Sequence, residues 1–207
     1  MKTFILNNVF LLPFVFFLNL TFTSNQSNNK YGRDHNNFVP DTTVNQKMKL
    51  ANSNSILNSM PSLKDHNIQN DCIFMYNMNA SEIVVLNLGY GGKNNEVLYF
   101  DVFYEQEFGL LKDMKYLKVD RKQFVSTKYK NFASESNIRL GITRKEITNI
   151  KGENYKYVKK AGYEILTYEI TMPSPFLKRY NMSAYKATYY FNRHNKLVRF
   201  SYGFIQP

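Results

Sequence analysis

The chain contains one cysteine, Cys72. With no second thiol, an intramolecular disulfide is excluded, and so is a metal cage built on cysteines. Tryptophan is absent, and histidine occurs three times, as His35, His66 and His194. Those positions provide neither His-x-x-x-His nor His-Glu-x-x-His spacing, so no helical metal motif is written in the chain. Nine glycines are present, clustered only in "GYGGKNN" at 89–95. There Lys93 is followed by Asn94 and strand-like residues rather than by Ser or Thr and a helix, which excludes a phosphate-cradling P-loop. Long apolar runs are also scarce. The one near the amino terminus is broken by Asn7, Asn8, Pro13 and Asn19, short of the roughly 20 continuous apolar residues that a membrane span requires.

That amino-terminal stretch has a different layout. Lys2 precedes an apolar segment reaching Phe22, after which the chain turns abruptly polar. This is the order of a secretory signal peptide, expected over residues 1–23, with Thr21 and Thr23 as the small residues before cleavage near Ser24. The mature protein is then periplasmic or extracellular. No cysteine follows the apolar run, which excludes a bacterial lipoprotein anchor. Residues 24–70 are rich in Asn, Ser, Lys and Gln, with single apolar residues such as Phe38, Val44, Leu50 and Ile56 and no sustained period. So little apolar surface predicts a flexible leader. A short helix around "SILNSM", stopped by Pro61, is its strongest candidate for local structure.

From residue 71 onward the pattern becomes that of a single domain, 71–207. The chain has 17 Phe and 16 Tyr, and flat rings and β-branched residues pack well on pleated surfaces. "DCIFMY", "EIVVLNL", "EVLYFDVFY", "YEILTYEI", "YKATYYF" and "KLVRFSYGF" read as strands, and residues 82–105 read as a hairpin turning at the glycine cluster. Tyr185, Ala187, Tyr189 and Phe191 alternate with Lys186, Thr188 and Tyr190, as in a strand with one buried and one wetter face. One helix is spelled out at both ends. Thr143 is placed to cap it and Glu146 to complete a capping box; Ile142 and Ile147 have staple spacing, and Gly152 supplies the stop. A helix of two turns is unstable alone, so Ile147 and Ile150 are expected to dock on the sheet. The expected fold is α+β, mostly β: an antiparallel sheet with one short capped helix packed on it.

"LGITRKEITNIKG", the strand around Tyr168 and "YYFNRHNKLVRFSYGF" carry a resemblance. From Asn137 to Pro207 the chain is similar to the Leu-Gly-Met-Thr-x-x-Glu-Val pattern of small envelope proteins in the β-lactamase-inhibitor-like and outer-membrane-assembly (SmpA/OmlA) class. It also resembles uncharacterised exported proteins of Bacteroidetes-type bacteria that end in a similar Gly-Phe-x-x-Pro. The resemblance implies a helix-plus-sheet element and a role in the envelope. The chain has "GENY" where the pattern has Gly-Lys-Pro, and no second copy of the Leu-Gly-x-Thr stretch.

Catalytic groupings are sparse. Cys72 opens a strand among apolar residues, the setting of a small buried hydrophobe rather than a nucleophile. Asp101, Glu164 and Glu169 are residue types that can form an acid–base pair, but nothing in their spacing demands one, and they read as exposed carboxylates on strand faces. No cofactor motif and no metal-ligand set is present. Charge is more informative: Lys and Arg total 27 against 16 Asp and Glu, a formal +11, and loss of Lys2 with the signal leaves 26 against 16, or +10. Two windows hold much of it. The first contains Lys112, Lys115, Lys118, Arg121, Lys122, Lys128 and Lys130; the second contains Arg139, Arg144, Lys145, Lys151, Lys156, Lys159 and Lys160. An exported protein rarely meets nucleic acid, so anionic lipid, glycan or an acidic envelope protein is the partner class expected, the alternative being a solvated basic surface that only aids solubility. The binding residues expected are Lys112, Lys115, Lys118, Arg121, Lys122, Lys156, Lys159 and Lys160. The function expected is a non-enzymatic binding or envelope-maintenance module. A secreted inhibitor of another protein and a hydrolase with an unrecognised site are the alternatives.

Overall fold

The computed structural model describes residues 38–52, 68–89, 96–111, 116, 118–160 and 162–205. The expected signal segment, the "SILNSM" helix and residues 90–95 of the glycine turn lie outside the described residues. The strands are β1 (Thr43–Val44), β2 (Met48–Lys49), β3 (Ile68–Gln69), β4 (Cys72–Tyr76), β5 (Glu82–Leu88), β6 (Val97–Tyr104), β7 (Val125–Ser126), β8 (Lys156–Lys160), β9 (Tyr163–Thr171), β10 (Ala184–Phe191) and β11 (Leu197–Ile205). The helices are α1 (Arg144–Lys151) and α2 (Pro175–Tyr180).

The fold is α+β and mostly β, as the aromatic and β-branched runs predict. Among the described residues a nine-stranded sheet runs in the order β3-β4-β5-β6-β11-β10-β9-β8, with β7 beside β4. Only the short β4 to β7 pairing is parallel. Two antiparallel meanders make up seven of the sheet's nine strands. One is β4-β5-β6, containing the predicted hairpin; the other is β8-β9-β10-β11, and β6 joins β11 from Phe103 opposite Arg199 to Tyr99 opposite Gly203. Glycine is required at that last pair. A Cβ on Gly203 would stand 2.2 Å from the Leu98 carbonyl oxygen, and φ is +156°.

Side chains alternate across the sheet. One face carries Val84, Leu86, Phe100, Val102, Tyr185, Tyr189 and Phe200, and α1, α2 and residues 38–51 pack over it. The second face carries Phe74, Ile83, Val85 and Phe103 on the β4-β5-β6 half, covered by Phe108, Tyr116 and Phe124. Phe74 stacks on Phe124 with centroids 4.8 Å apart. All of β5 is therefore buried, the expected outcome for a near-continuous apolar run covered on both sides. The predicted alternation in β10 holds in part: Tyr185, Ala187, Tyr189 and Phe191 are buried on the helix face and Lys186 and Tyr190 are half-buried on the other, but Thr188, expected on the wetter face, is buried as well.

α1 has the predicted ends. Glu146 N donates to Thr143 Oγ1 at 3.3 Å, Thr143 N donates to Glu146 Oε2 at 2.7 Å, and Gly152 takes φ +88°. Its docked face is rotated from the expected one. Ile147, Thr148 and Lys151 are buried, while Ile150 is 43% exposed. Positions 147, 148 and 151 share one side of a 3.6-residue helix, and Ile150 falls beside that stripe.

Three features extend the sequence reading. "KYVKK" at 156–160, not read as a strand, forms β8 beside β9. α2 adds a second short helix where Pro173 and Pro175 suggested only a loop. Proline at the first helical position removes no intrahelical bond, and Ser174 Oγ accepts from Leu177 N at 3.3 Å. The expected flexible leader also needs correction between 38 and 52. Phe38, Val44, Met48 and Leu50 are buried in the main core, and the Phe38 ring lies 5.2 Å from that of Tyr168. These residues show no period because each fills a separate gap over the aromatic sheet face. Ile68 and Gln69 likewise pair with β4, so the domain does not begin at residue 71.

Candidate functional site

The two margins of the sheet differ. At one, β4 is flanked by β3 beside Cys72 and Ile73 and by β7 beside Met75 and Tyr76. At the other, β8 pairs with β9 and, among the described residues, with nothing else. β8 is "KYVKK", five residues, all exposed. Register with β9 sorts its side chains: Lys156, Val158 and Lys160 stand opposite Thr167, Ile165 and Tyr163 on the second face, and Tyr157 and Lys159 opposite Leu166 and Glu164 on the helix face. Tyr157 and Val158 are 46% and 52% exposed. The edge thus offers two apolar side chains between cationic ones.

Neighbouring groups set the charge of this edge. Lys156 pairs with Glu169, which also lies 3.9 Å from Lys186. Glu164, directly across from Lys159, is held instead by Arg144 at 3.0 Å, and the Arg144 guanidinium lies 6.0 Å from the Tyr157 ring centre. Tyr163, opposite Lys160, donates its hydroxyl to Glu107 Oε2 at 2.7 Å; this bond, followed by burial, pushes its pKa up to about 12. Lys159 and Lys160 have no described carboxylate within 4.0 Å, which leaves their charge open to a partner.

The remaining predicted binding residues lie elsewhere. Lys112 and Lys115 are outside the described residues. Lys118 is exposed. Arg121 and Lys122 sit in a 3-10 turn, Arg121–Gln123, capped by Asp120. Arg121 is paired with Glu105 and rests 4.8 Å from the centre of the Phe108 ring, while Lys122 is exposed. This turn adjoins the β4 margin, where Gln69 bonds to Asp120. From β4 to β8 the sheet order counts six strand spacings, about 29 Å along the sheet at ~4.8 Å each. Along the sheet, the turn bearing Arg121 and Lys122 therefore lies far from the β8 lysines, although Glu105, paired with Arg121, is only two residues from Glu107, which holds Tyr163 opposite Lys160. Lys151, counted in the second window, is buried.

Two buried polar groupings escaped the sequence reading. Asp101, expected to be an exposed carboxylate, is 0% exposed because both sides of β6 are covered. Its Oδ1 accepts from Arg199 Nε at 2.9 Å, and its Oδ2 accepts from Arg199 Nη2 and from the Tyr116 hydroxyl, each at 2.6 Å. Burial, and then the Asp101 charge, raise the Tyr116 pKa well above that of an ordinary phenol. For Arg199 burial works against the charged form, and Asp101 more than reverses it, so the guanidinium is held more firmly protonated. These bonds fasten Tyr116 to the second face. On the helix face Lys151 Nζ lies 2.9 Å from Asp41 Oδ2 and donates to the Val39 carbonyl at 2.7 Å and to Ser136 Oγ at 3.0 Å. Tyr185 donates to the Asp41 carbonyl at 2.8 Å. Asp41 carries no local sequence signal. An aspartate in an apolar run with an arginine on a later strand was the only clue to Asp101.

Cys72 is buried, and its Sγ lies 3.3 Å from Asn87 Oδ1. His194 is exposed in the β10–β11 turn. Among the described residues no group of three or more His, Cys, Asp or Glu converges, and no helix is long and apolar enough to cross a membrane. Comparison with family models, with curated proteins and with solved structures finds no match.

Proposed function

We propose that this chain is an exported, non-enzymatic binding or envelope-maintenance module whose β8 edge engages an anionic component of the envelope. The observation that carries this reading is the exposed "KYVKK" strand at the open margin of the sheet, with Lys159 and Lys160 unmatched by any described carboxylate. Export rests on the Lys2, apolar run and polar switch of residues 1–23. The likeness to small envelope proteins points to the same compartment. Each basic side chain near an anionic surface contributes about 1 kcal/mol, so a few on one edge suffice for measurable association. Screening over roughly 10 Å at about 0.1 M salt weakens it.

Sedimentation of the protein with anionic and with neutral vesicles, and with acidic polysaccharide, at low and high salt tests the reading. Association with an anionic partner that falls as salt rises supports it. Equal behaviour toward neutral and anionic partners contradicts it.

A further inference from the structure

Resting on that reading of the β8 edge, we propose that its partner is an acidic polypeptide segment that joins the sheet in extended conformation, as a strand beside β8. The first argument is main-chain chemistry. An edge strand directs alternate N–H and C=O groups outward, and only another extended backbone satisfies both in repeat. Lipid headgroups and acidic glycans provide negative charge but not that ladder of paired donors and acceptors. At the opposite margin β3 and β7 already occupy this position along β4, so, among the described residues, β8 is the margin with room for a full five-residue pairing.

The second argument is the side-chain pattern. A strand laid beside β8 places its residues opposite Lys156, Tyr157, Val158, Lys159 and Lys160 in turn. Directly opposed like charges repel and unlike charges attract. A second copy of "KYVKK" is therefore rejected, which guards the edge against self-association, while an acidic strand is admitted. The complementary segment reads, for antiparallel entry, acidic, acidic, apolar, apolar, acidic. Its acidic members face Lys160, Lys159 and Lys156, and its apolar members face Val158 and Tyr157. Five residues span about 16 Å of strand.

The test uses the full chain and the capped peptide Ser-Glu-Glu-Val-Tyr-Glu-Ser, alongside the same peptide N-methylated at its Val and Tyr. N-methylation removes main-chain donors and leaves charge unchanged. The expected results are saturable binding of the first peptide, weakening by about tenfold or more on methylation, and slowed hydrogen exchange at alternate amides of residues 156–160. Anionic vesicles and acidic polysaccharide are titrated in parallel. If they bind while the peptide does not, or if both peptides bind equally without protecting β8, strand addition is overturned and the anionic-edge reading stands. If none of these probes binds at low salt, both fall.

Discussion

Lys151, in the last turn of α1, and Asp41, in the amino-terminal segment, form an ion pair 2.9 Å apart with both side chains only 1% exposed. Lys151 also donates to Val39 and Ser136, so one ammonium ties residues 39, 41 and 136 to the helix. Removing one member of a buried pair leaves the other desolvated and uncompensated. Lys151→Met should therefore cost about 3–5 kcal/mol. Combining it with Asp41→Leu should recover part of that loss. Urea denaturation midpoints measure both, and an unchanged midpoint for Lys151→Met would show that the pair does not hold the segment.

Asp101 and Arg199 do the same on the second face. Arg199→Met, which strands a fully buried carboxylate, should cost about 3–5 kcal/mol. Tyr116→Phe removes one donor to a charged acceptor and should cost about 1.5–3 kcal/mol. The second variant should also speed hydrogen exchange at residue 116 more than in β9 or β10, since that hydroxyl fastens Tyr116 to the sheet.

The helix separates three energies. Thr143→Ala deletes the capping oxygen and should cost about 0.5–2 kcal/mol. Ile147→Ala opens a cavity in the core and should cost about 2–5 kcal/mol. Ile150→Ala, at a side chain 43% exposed, should stay within about 0.5 kcal/mol. A larger loss at Ile150 than at Ile147 in urea denaturation would mean that α1 docks through its other face.

Glu82 links stability to pH. Burial raises its carboxyl above the ordinary value of 4.5, and the bond from the Phe132 amide opposes that without cancelling it. The folded protein thus keeps this proton to higher pH than the unfolded chain does, so the group's contribution is present below the unfolded value and lost as pH rises through the folded one. Glu82→Gln keeps a carbonyl oxygen for Phe132 and removes the titration. Denaturation series between about pH 4 and pH 7 should show a smaller decline attributable to this position in the variant. Identical profiles would contradict the assignment.

β4, β5, β6, β9, β10, β11 and α1 were legible because their signals are local: side-chain alternation along β10, a capping box at Thr143 and Glu146, and a continuous apolar run in β5; β8 was not, since three of the five residues in "KYVKK" are lysines, which are depleted in strands. The amino-terminal segment was not, since Phe38, Val44 and Met48 gain burial only from aromatic residues far along the chain. The second helix was hidden for a different reason. Pro173 and Pro175 mark a turn in most contexts, and only Ser174 capping Leu177 turns the second into a helix start. Of the binding residues, Lys156, Lys159 and Lys160 share one strand, as their spacing allows. Their separation from Lys118, Arg121 and Lys122 follows from sheet order, which charge counting along the chain does not reveal.

That separation permits a control that general basicity cannot pass. Lys159→Glu with Lys160→Glu and, separately, Lys118→Glu with Lys122→Glu each lower the formal +11 by the same amount, to +7, at opposite margins of the sheet. Binding to the anionic partner identified by sedimentation, measured for both variants at low salt, is the most direct test of the β8 edge. The account predicts a loss of about tenfold or more for the Lys159 and Lys160 variant and near-native binding for the other. Equal losses, or a greater loss at Lys118 and Lys122, would contradict it.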